Sequence, residues 1–408
     1  MVQSEGLASV LDNDLYKFTM GYAIFKAYRH IHVTYQFTNR KRELSLNKEA
    51  VIWLKNQIQK MELLQLTQEE KEYMSKFSFF DEEYINYLDN FRYKPTEQVF
   101  LTFDENTRDL DLQIKGSWLD TILYEVPLLS LISEAYFRFV DTDWSHDGQS
   151  ENAFSKAKKL LEHGCTFSEF GTRRRRDGRT QNIVVEAIVK AYEIHQREVT
   201  GSKHGEFVGT SNVYLAMKYG LKPTGTIAHE FFMGISALNG VNEANKAALE
   251  IWYKIYKGNL GIALTDTFTT DVFLRDFDEK TATLYQGLRQ DSGDPFDFLI
   301  KAVDHYNAMG IDPSTKIIVF SDSLDVELAI RLDQASKTAG IQSSFGIGTF
   351  LTNDFQKMSQ PSVKSKALSI VIKLRYCNGK RVVKLSDDPS KWSADSDTIA
   401  AVKRELNI

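Results

Sequence analysis

The side chains best suited to chemistry lie between Ser168 and Thr349 of this 408-residue chain. Four arginines, Arg173 to Arg176, follow directly on Phe170-Gly171-Thr172. A guanidinium beside an aromatic can grip a carboxylate or phosphate through two parallel hydrogen bonds, while Phe170 can stack on a flat ring. Arg174, Arg175 and Arg176 read equally well as a solvated charge run or a nucleic-acid patch, because short basic clusters are common without function. The next feature is Arg289-Gln290-Asp291-Ser292-Gly293-Asp294-Pro295. Asp-Ser-Gly and Asp-Pro suit a plain turn. A turn, however, has no use for an arginine and two acids so close together. A sugar phosphate does: carboxylates take ribose hydroxyls or hydrated magnesium, and the arginine takes an anion. Further on, Gly346-Ile347-Gly348-Thr349 would let backbone N–H groups approach a phosphate, although no Gly-Lys-Ser/Thr follows to make a P-loop.

Among eight histidines, only His229 falls in a polar cluster of this kind, with Thr226 before it and Glu230 after it. A neighbouring carboxylate could orient its ring. No second histidine or cysteine lies at ligand spacing, so zinc is disfavoured and a nucleophile or phosphate partner is the better reading. Asp266 and Asp322 each follow a β-rich apolar run, at 261–264 and 317–320. Each could be a helix N-cap or a site carboxylate. A G-x-S-x-G elbow and a dinucleotide fingerprint are both lacking, which weakens hydrolase and dehydrogenase readings.

These residues need elements to carry them. Residues 14–28 read as helix, 31–37 as a half-buried strand, and 47–64 as a helix capped by Asn47. Thr67 with Glu70 makes a capping box, and 110–114 pairs as a strand with 100–103. Residues 122–140 read as a buried helix broken at Pro127. From Cys165 onward, short apolar strands end in polar clusters, seven in all: 168–173, 209–212, 225–230, 264–267, 288–294, 320–323 and 345–349. Polar strand ends repeated around a closed parallel sheet are how a β/α barrel assembles a site. An open sheet offers only one switch point. After Thr349 antiparallel pairing returns, with 368–375 and 380–385 flanking Asn378-Gly379 as a hairpin, and 397–406 reads as a short helix. The expected fold class is therefore α/β, an irregular β/α barrel-like domain at 131–350. An α+β domain at 1–130 is joined by 351–408.

Composition bounds the function. A net charge of −5 provides no global basic field for nucleic acid. Two distant cysteines, Cys165 and Cys377, suit a reducing compartment. Residues 1–11 do not read as a signal peptide, and no run reaches the roughly 20 apolar residues of a membrane span. A soluble, cytoplasmic protein with no nucleic-acid or membrane partner is expected.

Taken in order, the motifs resemble the nicotinate phosphoribosyltransferase family. The resemblance begins at Leu11-Asp12-Asn13-Asp14-Leu15-Tyr16-Lys17. It continues through Phe170 to Arg175, Gly209-Thr210-Ser211-Asn212, Ala228-His229-Glu230, Leu288 to Asp294 and Phe345 to Thr349, and ends at Ser369-Ile370-Val371-Ile372-Lys373-Leu374. It implies a type II phosphoribosyltransferase fold and an ATP-coupled reaction, in which nicotinate and phosphoribosyl pyrophosphate give nicotinate mononucleotide and pyrophosphate. His229 matches the histidine that the family phosphorylates. Tyr16, Phe170, Arg173, Thr226 and Arg289 match the nicotinate pocket, with Tyr16 reaching across the interface of a homodimer with shared active sites. Asp266, Asp291 and Asp322 match positions near ribose and magnesium, with Asp291 and Asp322 holding the ion directly or through water. Ser292, Gly293, Gly346, Gly348 and Thr349 fall on the ribose and phosphate side. The nicotinamide-using relatives carry an aspartate at the position of Ser211; Ser211 and Asn212 can donate to a carboxylate instead, which favours nicotinate. From another class, the alternative is a non-catalytic phosphate- or RNA-binding protein that uses the arginine run.

Overall fold

The computed structural model describes residues 6–198 and 205–408, so the first five positions of the segment read above for a leader lie outside the described residues. Strands β1 (His32–Asn39), β2 (Val99–Phe103) and β3 (Leu110–Ser117) pair antiparallel. Val33, Tyr35 and Phe37 are buried on β1, the period-two face expected of a sheet covered on one side. The helix Leu15–Ala27 precedes β1 and is buried from Leu15 to Phe25.

Seven short parallel strands follow: β4 (Thr166–Glu169), β5 (Glu206–Thr210), β6 (Lys222–Pro223), β7 (Ile262–Leu264), β8 (Gly287–Gln290), β9 (Ile317–Phe320) and β10 (Gln342–Ile347). Their order is β6-β5-β4-β10-β9-β8-β7. That is the cyclic order of a barrel, cut once between β6 and β7. The sheet is thus barrel-like with one open seam rather than closed. β6 is two residues long and Pro223 has no N–H to donate, so it ends the ladder. Each expected polar cluster sits just past one of the seven strands.

A small hairpin, β11 (Phe355–Gln356) and β12 (Lys364–Ser365), leads into β13 (Ile370–Cys377). β13 returns to β1, pairing Val33 with Cys377 and Asn39 with Ile370. β14 (Lys380–Arg381) folds back through Asn378 and Gly379 at φ 49° and 75°, the left-handed pair a two-residue hairpin needs. Both chain ends therefore build one five-stranded sheet, β14-β13-β1-β3-β2.

Two expectations change. Residues 383–385 do not extend the hairpin: strand pairing ends at Arg381 with one further bond from Val382 N–H to the Arg375 carbonyl, and Leu385 bridges to Phe268 beside the barrel. Pro127 does not break its helix. Glu125–Phe139 is continuous after a 3-10 turn at Ile122–Tyr124, and Pro127 sits in its first turn, where its missing N–H has no helical partner to lose. The boundary expected at 130 falls inside this helix. No helix among the described residues is long and apolar enough to cross a membrane.

Candidate active site

A cavity of about 740 Å³ opens over the C-terminal ends of the parallel strands. One wall comes from barrel loops, the other from the helix Leu15–Ala27 and the C-terminal segment. At one end lie Asp14, Tyr16, Glu125, Phe170 and Arg173. Glu169, at the end of β4, accepts a hydrogen bond from the Gly171 N–H and others from Thr210 Oγ1 (2.5 Å) and Gln181 Nε2 (3.0 Å). These bonds turn the chain sharply, so Phe170 and Arg173 both face the cavity. Only glycine fits in that turn, since a Cβ at Gly171 would lie 2.1 Å from Thr352 Oγ1. Arg173 Nη1 is 3.6 Å from Glu125 Oε1. Tyr16, then Glu125 and Asp14, hold the Arg173 guanidinium more firmly charged than usual.

Beneath this end, Lys17 is buried between Glu125 (2.5 Å) and Glu230. Glu230 also accepts from Tyr35 Oη (2.5 Å) and Trp118 Nε1 (2.7 Å). The expectation that Glu230 orients the imidazole of His229 therefore gives way: its carboxylate points back into the protein and ties the helix Leu15–Ala27 to the helix His229–Asn239.

His229 opens that second helix and lies at the centre of the cavity's other end. Its Nδ1 is 3.0 Å from Thr267 Oγ1, and its Nε2 is 2.9 Å from Asp291 Oδ2 and 2.8 Å from Lys384 Nζ. Nε2 can accept from the ammonium or donate to the carboxylate; in the neutral ring these are the two tautomers, with the proton on Nδ1 or on Nε2. Burial, and next the Lys384 charge, push the imidazole down to about 4 against the pull of Asp266 and Asp291. The ring is therefore neutral at physiological pH. Burial opposes ionisation of Asp291, but Arg289, His229 and Lys384 hold it well below the usual carboxylate range. Arg289 spans the wall, reaching Asp291 (3.0 Å), Thr226 Oγ1 (2.8 Å) and Ser321 Oγ (2.8 Å).

Several expected site residues stand one layer back. Ser211 is fully buried and donates to Asp14 Oδ1 at 2.7 Å, while Asn212 Nδ2 donates to Asp12 at 2.8 Å. Neither side chain offers a free donor to a ligand carboxylate. Thr226 supports Arg289. Asp266 is fully buried behind His229, accepting from Ser292 Oγ (2.5 Å) and Ser386 Oγ (3.2 Å). Ser292 is buried behind Asp266, Gly293 lies on the outer surface past it, and neither lines the cavity. Gly346, Gly348 and Thr349 do line it. A Cβ at Gly348 would come within 2.9 Å of the Phe170 carbonyl oxygen, so this glycine is also needed for packing against the β4 turn. Tyr16 lines the cavity of its own chain, together with Phe170 and Arg173.

Three cationic wall residues, Arg40, Lys384 and Lys391, carry no sequence motif, and a fourth, Lys373, falls in the last matching stretch but outside the expected site residues. Lys391 meets Asp322 at 2.6 Å. Lys373 is pushed down to about 7 by burial, then by Lys384, Arg40 and Lys391. Lysines inside the apolar runs 370–374 and 382–385 were the one available signal. The donor set also bears on magnesium. His229, Asp266 and Asp291 could converge on one ion, and Asp266 Oδ1 has no hydrogen-bond partner among the described residues. Yet Lys384 Nζ sits 3.5 Å from Asp266 and 3.8 Å from Asp291, where a cation would go, so this trio does not fit a resident metal. Asp322, on the open wall, is itself paired through Oδ1 with Lys391, so only its other oxygen is placed to meet a hydrated ion.

The nicotinate phosphoribosyltransferase (NAPRTase) family model matches residues 165–408, and the NAPRTase N-terminal domain model matches residues 11–133. A Schizosaccharomyces pombe protein described as a probable nicotinate phosphoribosyltransferase is 45% identical over 98% of each chain. The Saccharomyces cerevisiae nicotinate phosphoribosyltransferase is 44% identical, over 98% of this chain and 95% of its own. A crystal structure of the Porphyromonas gingivalis enzyme of that name superposes with a TM-score of 0.90 at 37% identity, covering 98% of this chain and 100% of the other.

Proposed function

The chain belongs to the nicotinate phosphoribosyltransferase family, and from that premise we propose how its cavity carries out transfer of a phosphoribosyl group to nicotinate with release of pyrophosphate. The observation that carries the reading is one cavity with an aromatic–arginine end and a histidine–carboxylate–lysine end. Nicotinate lies against Phe170 and Tyr16, with its carboxylate on Arg173. That holds the ring nitrogen in line with the anomeric carbon of phosphoribosyl pyrophosphate. The nitrogen forms the new bond as the carbon–oxygen bond to pyrophosphate breaks. The ionised Asp291 carboxylate stabilises positive charge developing on the ribose. Arg40, Lys373, Lys384 and Lys391 take the charge of the departing pyrophosphate, and Asp322 meets the magnesium that accompanies it.

ATP enters through His229. The neutral imidazole attacks the γ-phosphorus, the bond to the ADP oxygen breaks, and Lys384 balances the added negative charge. Nicotinate is preferred over nicotinamide because Arg173 rewards a carboxylate, with Asp14 and Glu125 keeping that arginine charged. The free, buried Cys165 and Cys377 suit the reducing cytoplasm, where we place the protein. An RNA-binding role is disfavoured, since Arg174, Arg175 and Arg176 are bonded inside the fold.

The test is pyrophosphate release with nicotinate, nicotinamide or quinolinate, each with and without ATP. Release with nicotinate, increased by ATP, is expected. Release with nicotinamide alone would overturn the substrate assignment.

A further inference from the structure

The four arginines after β4 leave in four directions, and only Arg173 and Arg174 reach the cavity. Arg174 Nε donates to the Ile370 carbonyl (3.1 Å) at the start of β13. Arg175 turns toward the N-terminal segment, holding Asp12 through two bonds, Nη1 to Oδ1 at 2.6 Å and Nη2 to Oδ2 at 2.7 Å. Arg176 turns toward the C-terminal segment. Its guanidinium lies 3.6 Å from the Phe137 ring and 4.1 Å from the Phe355 ring, and its Nη1 donates to Ser365 Oγ at 2.8 Å. Arg175 and Arg176 are 2% and 0% exposed, so neither touches a ligand.

What they hold differs in kind. Asp12 begins the stretch that lays Asp14 and Tyr16 along the ring end of the cavity. Ser365 lies between Lys364 and Lys366, two cations that also line the cavity and whose ammonium groups suit a phosphate. Neither segment belongs to the barrel. The first also bonds the loop after β5, with Leu15 N–H donating to the Ser211 carbonyl at 2.8 Å and Val213 N–H to the Asn13 carbonyl at 2.9 Å, so Arg175 adds a buried ion pair to a backbone seam. In the second, Ser365 Oγ also donates to Asp141 Oδ2 at 2.7 Å, and β12 pairs with the two-residue β11. We infer that Arg175 and Arg176 are positioning residues for two separate walls of the cavity, Arg175 setting the wall that carries Asp14 and Tyr16 against nicotinate and Arg176 the wall that carries Lys364 and Lys366 against a phosphate. This inference rests on the reading above of which end takes which substrate.

Two variants separate these roles while keeping the fold. Asp12→Asn with Arg175→Met removes a buried ion pair as a unit, leaving no unpaired charge. Arg176→Met keeps an unbranched apolar side chain among Phe137, Trp144 and Phe355. The first pair is expected to raise KM for nicotinate about tenfold or more, leaving KM for phosphoribosyl pyrophosphate within about twofold; Arg176→Met should do the reverse. Arg176→Lys should recover part of the loss. Amide hydrogen exchange provides a readout independent of activity. Faster exchange is expected at 11–16 in the first variant and at 355–366 in the second, with the rest of the chain unchanged. Equal effects on both KM values, a loss in kcat alone, or exchange raised throughout the chain would each overturn the assignment. A wild-type protein that released no pyrophosphate with nicotinate would instead sink the functional reading, and the exchange pattern would still decide this one.

Discussion

At the scale of single residues, the chemistry turns on lysines that the motifs do not single out. Phe170, Arg173, His229, Arg289 and Asp291 were legible because each stands in a polar cluster where a parallel strand ends. Lys384 was not, because 380–385 reads as the second arm of a hairpin whose alternation hides where the chain departs. Its position beside Nε2 makes a definite expectation. Burial, and next the Lys384 charge, keep His229 at about 4, while Asp266 and Asp291 pull the other way. In Lys384→Met only burial is left to oppose those carboxylates, so the imidazole protonates at higher pH and the acid limb of histidine phosphorylation moves up. Labelling with γ-phosphate-labelled ATP across pH reads this directly. The acid-labile, base-stable label should vanish in His229→Ala at every pH, and an unmoved limb in Lys384→Met would remove the lysine from this role. Lys373 yields a second expectation. At about 7 it loses its charge as pH rises through neutrality, so KM for phosphoribosyl pyrophosphate should climb there. Lys373→Met should abolish that step while raising KM at pH 6; a step that persists would assign it to another group.

At the scale of elements, the β4 turn shows how a strand end becomes a site. Glu169 is fully buried, and burial pushes its carboxyl up to about 7 despite the bonds from Thr210, Gly171 and Gln181. Its ordinary value is 4.5, so between 4.5 and 7 the unfolded chain has released a proton that the folded chain retains. Stability should therefore fall as pH rises through this window, by on the order of 3 kcal/mol for this group alone. Glu169→Gln is isosteric and should flatten that slope; chemical denaturation at pH 5 and pH 8 measures it. A slope unchanged in the variant would mean the carboxyl ionises freely in the fold. The same turn explains a limit of sequence reading. Ser211, Thr226, Ser292 and Gly293 have the right residue types near the right strand ends, yet they face away. Period and composition place a residue near a strand end. Whether it faces the cavity depends on the one-residue turns that Glu169, Gly171 and Gly348 impose through packing.

At the scale of the whole molecule, the cavity joins parts of the chain that the sequence keeps far apart. Asp14 and Tyr16 lie near one end, Lys391 near the other, and the barrel loops between them. The order of seven strand-end clusters was enough to read a barrel, since a parallel barrel gathers strand ends in chain order. The open seam was not legible, because it depends on a proline in a two-residue strand. Nor was the source of the ring-end wall: a tyrosine so far upstream of the barrel could as well be supplied by a second copy. In this structure Tyr16 is 8% exposed and lies against Arg173 of its own chain, fixed by the helix it belongs to and by Lys17 beneath. From that geometry we propose that each chain carries a complete site of its own. Co-expressing Tyr16→Ala with His229→Ala tests the point. If sites were shared across an interface, mixed dimers would contain one site with both residues intact, and about a quarter of wild-type activity would return. With sites built within one chain, every site in the mixture lacks one of the two, and activity should stay at the level of the separate variants. Restoration would show that the ring-end tyrosine is donated by the partner subunit after all, and that the packing of the helix Leu15–Ala27 in one chain is not the packing that catalyses.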